Sequence, residues 1–196
     1  MPIHADQLSW FERAVVWFFG RNWPNKRLVP ANVLMFAGLG LGLIGWDWFQ
    51  PLDEGTLCLR AFALSLPLIG WTVWRGDRLV RQGAIHGKQS CGGILAVMVL
   101  TSLMSLGFLS IGTGVTLNGW LDPSAPTTHT GRVLARWISS KSYYVRISSW
   151  RHPNSSENIR ISRTVFNQVQ PSVSQMSVTT KRGALGFEWV AGYRLE

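Results

Sequence analysis

The chain has 196 residues and is strongly basic, with 19 Lys and Arg against 10 Asp and Glu, yet 46% of its residues are hydrophobic and its mean hydropathy is +0.12. With eleven Trp, this composition is typical of a small membrane protein that also has an aqueous part, because Trp collects where apolar surface meets polar headgroups. The chain has four His and two Cys. Their spacing shows no convincing set of metal ligands, so the sequence predicts no metal site.

Residues 6–23 are too charged to cross a membrane but carry apolar side chains at helical spacing. These side chains belong to Leu8, Phe11, Val15, Phe18 and Phe19, and they would share one helix face. We therefore predict that residues 1–28 form a cytoplasmic amphipathic segment at the membrane interface. The segment has no uninterrupted apolar core before a small-residue cleavage site, so we do not expect a removable signal peptide.

Three apolar runs follow, and we predict transmembrane helices at about 29–48, 55–74 and 92–117. A span needs roughly 20 mostly apolar residues. The third run carries no charge over the 24 positions from Gly92 to Val115. The second is the weakest because it contains Arg60 and Pro67, and whether it fully spans stays open. The predicted interface anchors are the Trp residues at the ends of the runs, namely Trp46, Trp48, Trp71, Trp74 and Trp120.

The charges of the connecting segments predict the orientation. Lys and Arg cluster before the first run and between the second and third, whereas the connection between the first two carries Asp47, Asp53 and Glu54. Because basic segments stay in the cytoplasm, three crossings place the N-terminus inside and the C-terminal domain outside. A re-entrant second segment would instead leave a four-charge basic loop outside. The expected localisation is a bacterial inner membrane, with the C-terminal domain periplasmic or extracellular.

The composition changes after Trp120. We predict a linker at 118–130, rich in Pro, Ser and Thr, and a small β-domain at 131–196. The domain shows five short segments of period two and no helical pattern, beginning with Val133, Ala135 and Trp137 on one face. The predicted fold class is thus a membrane α-helical part of three transmembrane helices plus a C-terminal small all-β barrel or sandwich.

The predicted β-domain is itself basic, with ten Lys and Arg after Pro126 against three Glu. We predict a partner-binding basic face formed by Arg146, Arg151, Arg160 and Arg163. Aromatic residues beside these charges are also typical of single-strand nucleic-acid binding, but a domain outside the cytoplasm meets little nucleic acid, so none is expected as a partner. Lipid headgroups, cell-wall polymer or an acidic protein are the expected counterparts.

No catalytic constellation stands out, so we expect no enzymatic activity, no catalytic or metal-binding residues and no cofactor. The four His fall in predicted loops or tails, and the paired Ser residues lack a nucleophile elbow. Gly38 and Gly42 form a small-xxx-small face for close helix packing. That face either seats the first span against the third or joins chains, as in a homo-oligomer or a complex with a partner membrane protein.

Three stretches carry a resemblance: NGWLDPSAP after the last apolar run, then VRISSWRHP, then TKRGALGFEWV. Together they resemble uncharacterised bacterial inner-membrane proteins in which a few helices precede a small extracytoplasmic β-domain. The resemblance covers about Asn118 to Val190, and the GALG turn followed by Trp189 is its most specific part. It implies the domain layout and the bacterial inner membrane, but no active site. Membrane proteins of the NfeD kind resemble it more distantly, through the order of helices and barrel.

Two hypotheses remain from the sequence. In the first, the protein is a non-enzymatic interaction or assembly module, anchored by its helices and docking through its basic β-domain. In the second, it is an accessory subunit of a larger membrane enzyme or transporter complex, and its helices pack around another chain's site. We favour the first because the aqueous domain is the better-developed feature.

Overall fold

The computed structural model describes residues 8–20, 22–23, 30–87 and 91–196. Its elements in chain order are α1 (Trp10–Phe19), β1 (Asn22–Trp23), α2 (Pro30–Trp48), β2 (Gln50–Pro51), α3 (Glu54–Arg81), β3 (His86–Gly87), α4 (Cys91–Trp120), β4 (Thr127–Ser139), β5 (Ser142–Ser148), β6 (Ser156–Ile161), α5 (Arg163–Gln168), β7 (Gln175–Lys181) and β8 (Trp189–Leu195).

The chain forms two compact units. The first, here called the helical unit, comprises residues 1–43 and 58–114; the second, the β-unit, comprises residues 44–57 and 115–196. The β-unit thus includes the adjoining ends of α2, α3 and α4 as well as the C-terminal strands. Part of the predicted interfacial segment 1–28 lies outside the described residues, as do Lys26, Arg27 and Lys88 of the basic segments.

Three helices, α2, α3 and α4, are long and apolar enough to cross a membrane. They begin and end close to the predicted limits, except that α3 runs on to Arg81, seven residues past the predicted end at 74. Pro67 lies inside this helix, which the structure assigns as continuous. Its last turns carry Arg78 and Arg81, which suit the negative end of the helix dipole.

Helix α1 begins with a capping box, in which Ser9 and Glu12 satisfy each other's backbone N–H groups. Four of the five residues predicted to share its apolar face are buried: Leu8, Val15, Phe18 and Phe19. Phe11 departs from the prediction, since 57% of it is exposed. Elsewhere in this unit, β1 pairs with β3 in a short parallel ladder.

Close backbone contact joins α2 to α4 in the helical unit. A Cβ on Gly38 would overlap the backbone of Leu109, and a Cβ on Gly112 would overlap the Gly38 carbonyl and approach the Gly42 nitrogen to 2.9 Å. The Ser110 hydroxyl donates to the Ala61 carbonyl at 2.5 Å and so joins α4 to α3. Small residues and hydroxyls are the usual means of helix association in an apolar environment.

The C-terminal strands form a nearly closed, barrel-like antiparallel sheet of six strands in the order β2-β8-β7-β4-β5-β6. The predicted all-β domain is confirmed as barrel-like, with one strand more than the five expected. The additional strand, β2, comes from the connection between α2 and α3 and pairs with β8. Strand β4 begins at Thr127 and α4 ends at Trp120, so both enter the predicted linker 118–130.

Alternate residues of the strands point into one apolar core. Its fully buried members are Val133, Val145, Ile147, Ile159, Val169, Met176 and Val178. The expectation that this domain has no helix is wrong, because α5 follows β6. Tyr143 contacts the Phe166 ring with centroids 5.0 Å apart, so the short helix contributes apolar side chains that the short strands cannot supply.

Candidate functional site

The β-unit contains a network of charges centred on Arg151. The Arg151 guanidinium donates to Asp53 at 2.5 Å and to both carboxylate oxygens of Glu157, at 2.8 and 3.1 Å. Its Nε also lies 3.9 Å from a Glu188 oxygen. Three carboxylates from three separate segments therefore share one cation, and only 20% of the Arg151 side chain is exposed.

The ionisation of this network follows from its hydrogen bonds. Burial alone would raise the pKa of Glu157, but the bonds from Arg151 and Ser149 outweigh it, so that its pKa lies below the usual value. The bond to Glu157 likewise raises the pKa of Arg151 against the effect of burial, with a further contribution from Asp53. Both groups are charged at neutral pH, and the network is an internal ion cluster.

His129 lies beside this cluster rather than in a loop as expected. It belongs to β4, and its ring stacks on Trp150 with centroids 4.7 Å apart. Glu188 Oε1 lies 3.7 Å from His129 Nε2 and accepts hydrogen bonds from Thr180 at 2.5 Å and from Trp150 at 3.3 Å. A cavity of about 430 Å³ opens beside these groups, lined further by Lys181 and Arg182.

A second feature lies where the sheet is nearly closed, between β2 and β6. Arg160 of β6 donates through one nitrogen, Nη2, to the Asp47 carboxylate at 3.0 Å and to the Asp47 carbonyl at 2.9 Å. The side-chain amide of Gln50 in β2 is oriented so that its nitrogen donates to the Arg160 carbonyl and its oxygen accepts from the Arg160 N–H. Hydrogen bonds of side chains thus join β2 and its neighbours to β6, the two edges that no backbone ladder connects, and we call this junction the seam.

A cavity of about 460 Å³ adjoins this seam, and we call it the seam cavity. Three cationic side chains line it, those of Lys141, Arg160 and Arg163, together with one carboxylate, that of Asp47. Trp48, the last residue of α2, lines the same cavity.

The outer face of β4 to β6 carries a third feature. The Trp137 and Tyr144 rings stack with centroids 5.5 Å apart, and the Arg146 guanidinium lies 5.5 Å from the Trp137 centroid. Arg146 also donates to Asn158 at 3.3 Å. Trp137 and Tyr144 line a cavity of about 630 Å³ together with residues 50–56.

The four arginines of the predicted basic face therefore have separate environments. Arg160 and Arg163 line the seam cavity, Arg146 lies on the outer aromatic face, and Arg151 is enclosed by carboxylates. The structure brings Arg160 and Arg163 to one cavity and places Arg146 diagonally across from Arg160 on the outer face of β5 and β6, whereas Arg151 is separate from them.

The predicted interface anchors also differ in their surroundings. Trp48, Trp71, Trp74 and Trp120 are all exposed, as a side chain facing headgroups would be. Trp46 is half-buried against the small cluster that contains Leu57 and Val115. Its indole Nε1 is buried and finds no hydrogen-bond partner among the described residues.

The sequence did not predict several contacts of the charged groups. Asp47 and Asp53 were used only to predict orientation, but both pair with arginines about a hundred residues further along the chain. A signal existed, since a short acidic connection and a basic domain in one chain are complementary. Lys141 and His129 gave no signal, because a turn lysine and a strand histidine are usually solvated or structural.

Within the part of the chain that the structure describes, no group of three or more His, Cys, Asp or Glu could hold a metal ion. No protein-family model, no curated protein and no solved structure matches the chain. The contacts and charges of the molecule itself therefore carry the functional argument.

Proposed function

We propose that this protein is an integral membrane protein of non-enzymatic type, whose β-unit is an interaction module for an anionic partner. The partner is an acidic protein, lipid headgroups or cell-wall polymer. Three helices of sufficient length and apolarity support the membrane location. The charges of the connecting segments support a bacterial inner membrane with a cytoplasmic N-terminus and an external β-domain, as does the resemblance to inner-membrane proteins of this layout.

One observation carries the interaction proposal: four carboxylates of the β-unit pair with only two of its arginines, and most of its other cations are exposed without a carboxylate partner. Asp53, Glu157 and Glu188 surround Arg151, and Asp47 pairs with Arg160. Seven exposed cations have no carboxylate partner in this fully described part of the chain: Arg132, Arg136, Lys141, Arg146, Arg163, Arg182 and Arg194. An excess of unpaired positive charge on a surface favours association with an anionic partner.

The alternative, an accessory subunit that packs around another chain through Gly38 and Gly42, gains no support from the contacts of those residues. Both glycines face α4 of the same chain. The interaction module is therefore the function that we carry forward.

The test is cross-linking in intact cells from a photoreactive residue at Ser155, an exposed position near Arg151. It compares the native protein with the pair Arg146→Glu and Arg163→Glu. We expect a discrete cross-linked product that falls at least tenfold in the charge-reversed pair. The matched pair Arg146→Lys and Arg163→Lys keeps the charge and retains the product.

Both pairs should remain in the membrane after an alkaline wash, since neither arginine lies in an apolar helix. Absence of any product from Ser155, Arg132, Arg182 or Arg194 would contradict the interaction module. Equal yield from the glutamate pair would show that charge does not mediate the contact.

A further inference from the structure

We infer that the seam cavity binds the phosphate group of an anionic phospholipid, which deepens the proposed function by naming a ligand class and rests on its membrane location. The cavity is defined by Lys141, Arg160, Arg163 and Trp48. Its volume of about 460 Å³ lies within the range of small-molecule sites and suits a headgroup rather than a whole lipid.

The charge in the cavity favours an anion. Asp47 is the one carboxylate in the lining, and Arg160 already pairs with it. Lys141 and Arg163 are exposed, and neither pairs with a carboxylate in this fully described part of the chain. Two positive charges therefore remain for a ligand, and the negative charge of a phosphate diester would be attracted to both.

The position of Arg160 provides a fixed donor. All of its hydrogen bonds to Trp46 and Asp47 use Nη2, and the Gln50 amide holds its backbone in place. The planar fork of a guanidinium that is held on one side presents its remaining N–H groups in a defined direction, which suits the oxygens of a phosphate.

Lys141 lines the cavity with its backbone in an unfavourable conformation. Ser140 and Lys141 form the turn between β4 and β5, with φ values of 47° and 69°. Glycine or asparagine is the usual occupant of such positive-φ turns. A lysine in this conformation at the cavity is an outlier for which a ligand contact supplies a reason.

Trp48 indicates that the anion comes from a lipid. It is the last residue of α2, 69% of it is exposed, and its side chain lines the same cavity as the cations. A Trp at the end of an apolar helix lies at headgroup level. Cations in a cavity at that level lie beside the phosphates of phospholipid headgroups and attract them, so the cations and Trp48 together match a phosphate attached to a glycerol backbone.

The test is a titration of the full-length protein in neutral detergent with short-chain lipids, followed by native mass spectrometry. Dihexanoyl phosphatidylglycerol should bind saturably and at least tenfold more tightly than dihexanoyl phosphatidylcholine. Glycerol phosphate and inorganic phosphate are the soluble probes, and both should bind at least tenfold more weakly than phosphatidylglycerol. Equally tight binding of glycerol phosphate would overturn the lipid source.

Paired substitutions locate the site. Lys141→Gln with Arg163→Gln should weaken phosphatidylglycerol binding at least tenfold. The matched pair Arg182→Gln with Arg194→Gln also removes two exposed positive charges of the β-unit, but outside the cavity, and should change binding less than twofold. Equal effects of the two pairs, or binding that never saturates, would overturn the site.

Lys141→Gly separates ligand binding from folding. Glycine adopts the positive φ without strain, so this variant should unfold at a higher temperature than the native protein and yet bind phosphatidylglycerol several-fold more weakly. Unchanged binding by a stabilised variant would remove Lys141 from the site.

The two proposals fail in different ways. A cross-linked product that never forms, or that forms equally in the native protein and the glutamate pair, would overturn the interaction module and leave the lipid titration intact. Unsaturable lipid binding would overturn the seam cavity site while the cross-linked product persisted.

Discussion

At the scale of single residues, the charges of the β-unit serve two different purposes. Arg151 is enclosed by carboxylates, whereas Arg146 and Arg163 are exposed without such partners. The sequence places all of them on strands or turns of one basic domain but cannot distinguish them, because the acidic partners come from distant segments. Substitutions at the enclosed site should therefore lower stability, whereas those at the exposed sites should leave it almost unchanged.

Arg151→Gln should lower the free energy of unfolding of the β-unit by roughly 2–4 kcal/mol, because it leaves three carboxylates close together without their cation. The measurement is thermal or denaturant unfolding of the full-length protein in detergent. Arg194→Gln, at an exposed position without a carboxylate partner, should change the same quantity by less than about 0.5 kcal/mol. Equal stability of the two variants would show that the cluster contributes nothing.

Asp122 should give the β-unit part of its acid sensitivity. Burial would raise its pKa, but hydrogen bonds from Ser124, Trp189 and Gly183 outweigh that effect and lower the pKa from 3.8 to about 2. Because the folded state favours the carboxylate, this stabilisation is present above the unfolded pKa and is lost as the pH falls from about 4 to about 2.

The measurement is the denaturation midpoint of the full-length protein across that pH range. Asp122→Asn carries no titrating group there, so its midpoint should fall less steeply than that of the native protein. Parallel pH profiles for the two proteins would contradict the assignment.

At the scale of elements, the last turn of α4 forms hydrogen bonds that hold the loop before β8, and we call this contact the clamp. Asn118 is buried; its side chain donates to the Phe187 carbonyl at 2.7 Å and accepts from the Leu185 N–H at 3.1 Å. Its own carbonyl accepts from the Ala184 N–H at 2.8 Å. The last turn of α4 therefore holds the GALG turn, which the sequence analysis had identified as the most specific part of the resemblance.

Asn118→Leu should destabilise the β-unit by about 2–3 kcal/mol, since it leaves buried backbone groups of the loop without partners. Hydrogen exchange of the Leu185 and Phe187 amides measures the effect directly. Asn158→Leu, at an exposed position on β6, is the control and should leave those amides protected. Unchanged exchange in the Asn118 variant would contradict the clamp.

The packing of α2 against α4 makes a second prediction at this scale. Gly38→Ile should disrupt the helical unit, at a cost of roughly 3 kcal/mol or more, because its side chain would overlap the backbone of Leu109. At Gly40, two residues along the same helix, an added Cβ meets no atom within 4 Å, so Gly40→Ile should be tolerated. Thermal aggregation in detergent distinguishes them, and equal behaviour would exclude close packing at Gly38.

The elements show what sequence could and could not predict. Apolar runs gave the three long helices, since length and hydropathy are local properties, although α3 continues past its predicted end to Arg81. Period two gave the five C-terminal strands. The two residues of β2 carry no periodicity, and α5 is too short for a helical pattern. The seam cavity depends on pairings between residues far apart in the chain, and the complementary charges of the connection and the domain do not show which residues meet.

At the scale of the whole molecule, the charge distribution predicts which positions face which side of the membrane. In a Cys58→Ser, Cys91→Ser background, a cysteine at Ser155 should react with a membrane-impermeant maleimide in intact cells. A cysteine at the exposed Gln82, which follows α3, should react only after lysis. Protection of Ser155 until lysis would mean that the second apolar run does not cross, and nucleic-acid binding by a cytoplasmic domain would then need testing.

The pairing of β2 with β8 also determines the order in which the protein can mature on the ribosome. β2 is synthesised between two apolar helices, but its partner β8 is synthesised after every other strand of the sheet. Until then the growing sheet lacks the strand that lies between β2 and β7. Sheet closure thus waits for β8, and loss of β8 to premature termination or proteolysis would leave β2 and β7 as unpaired edges exposed to aggregation and quality control.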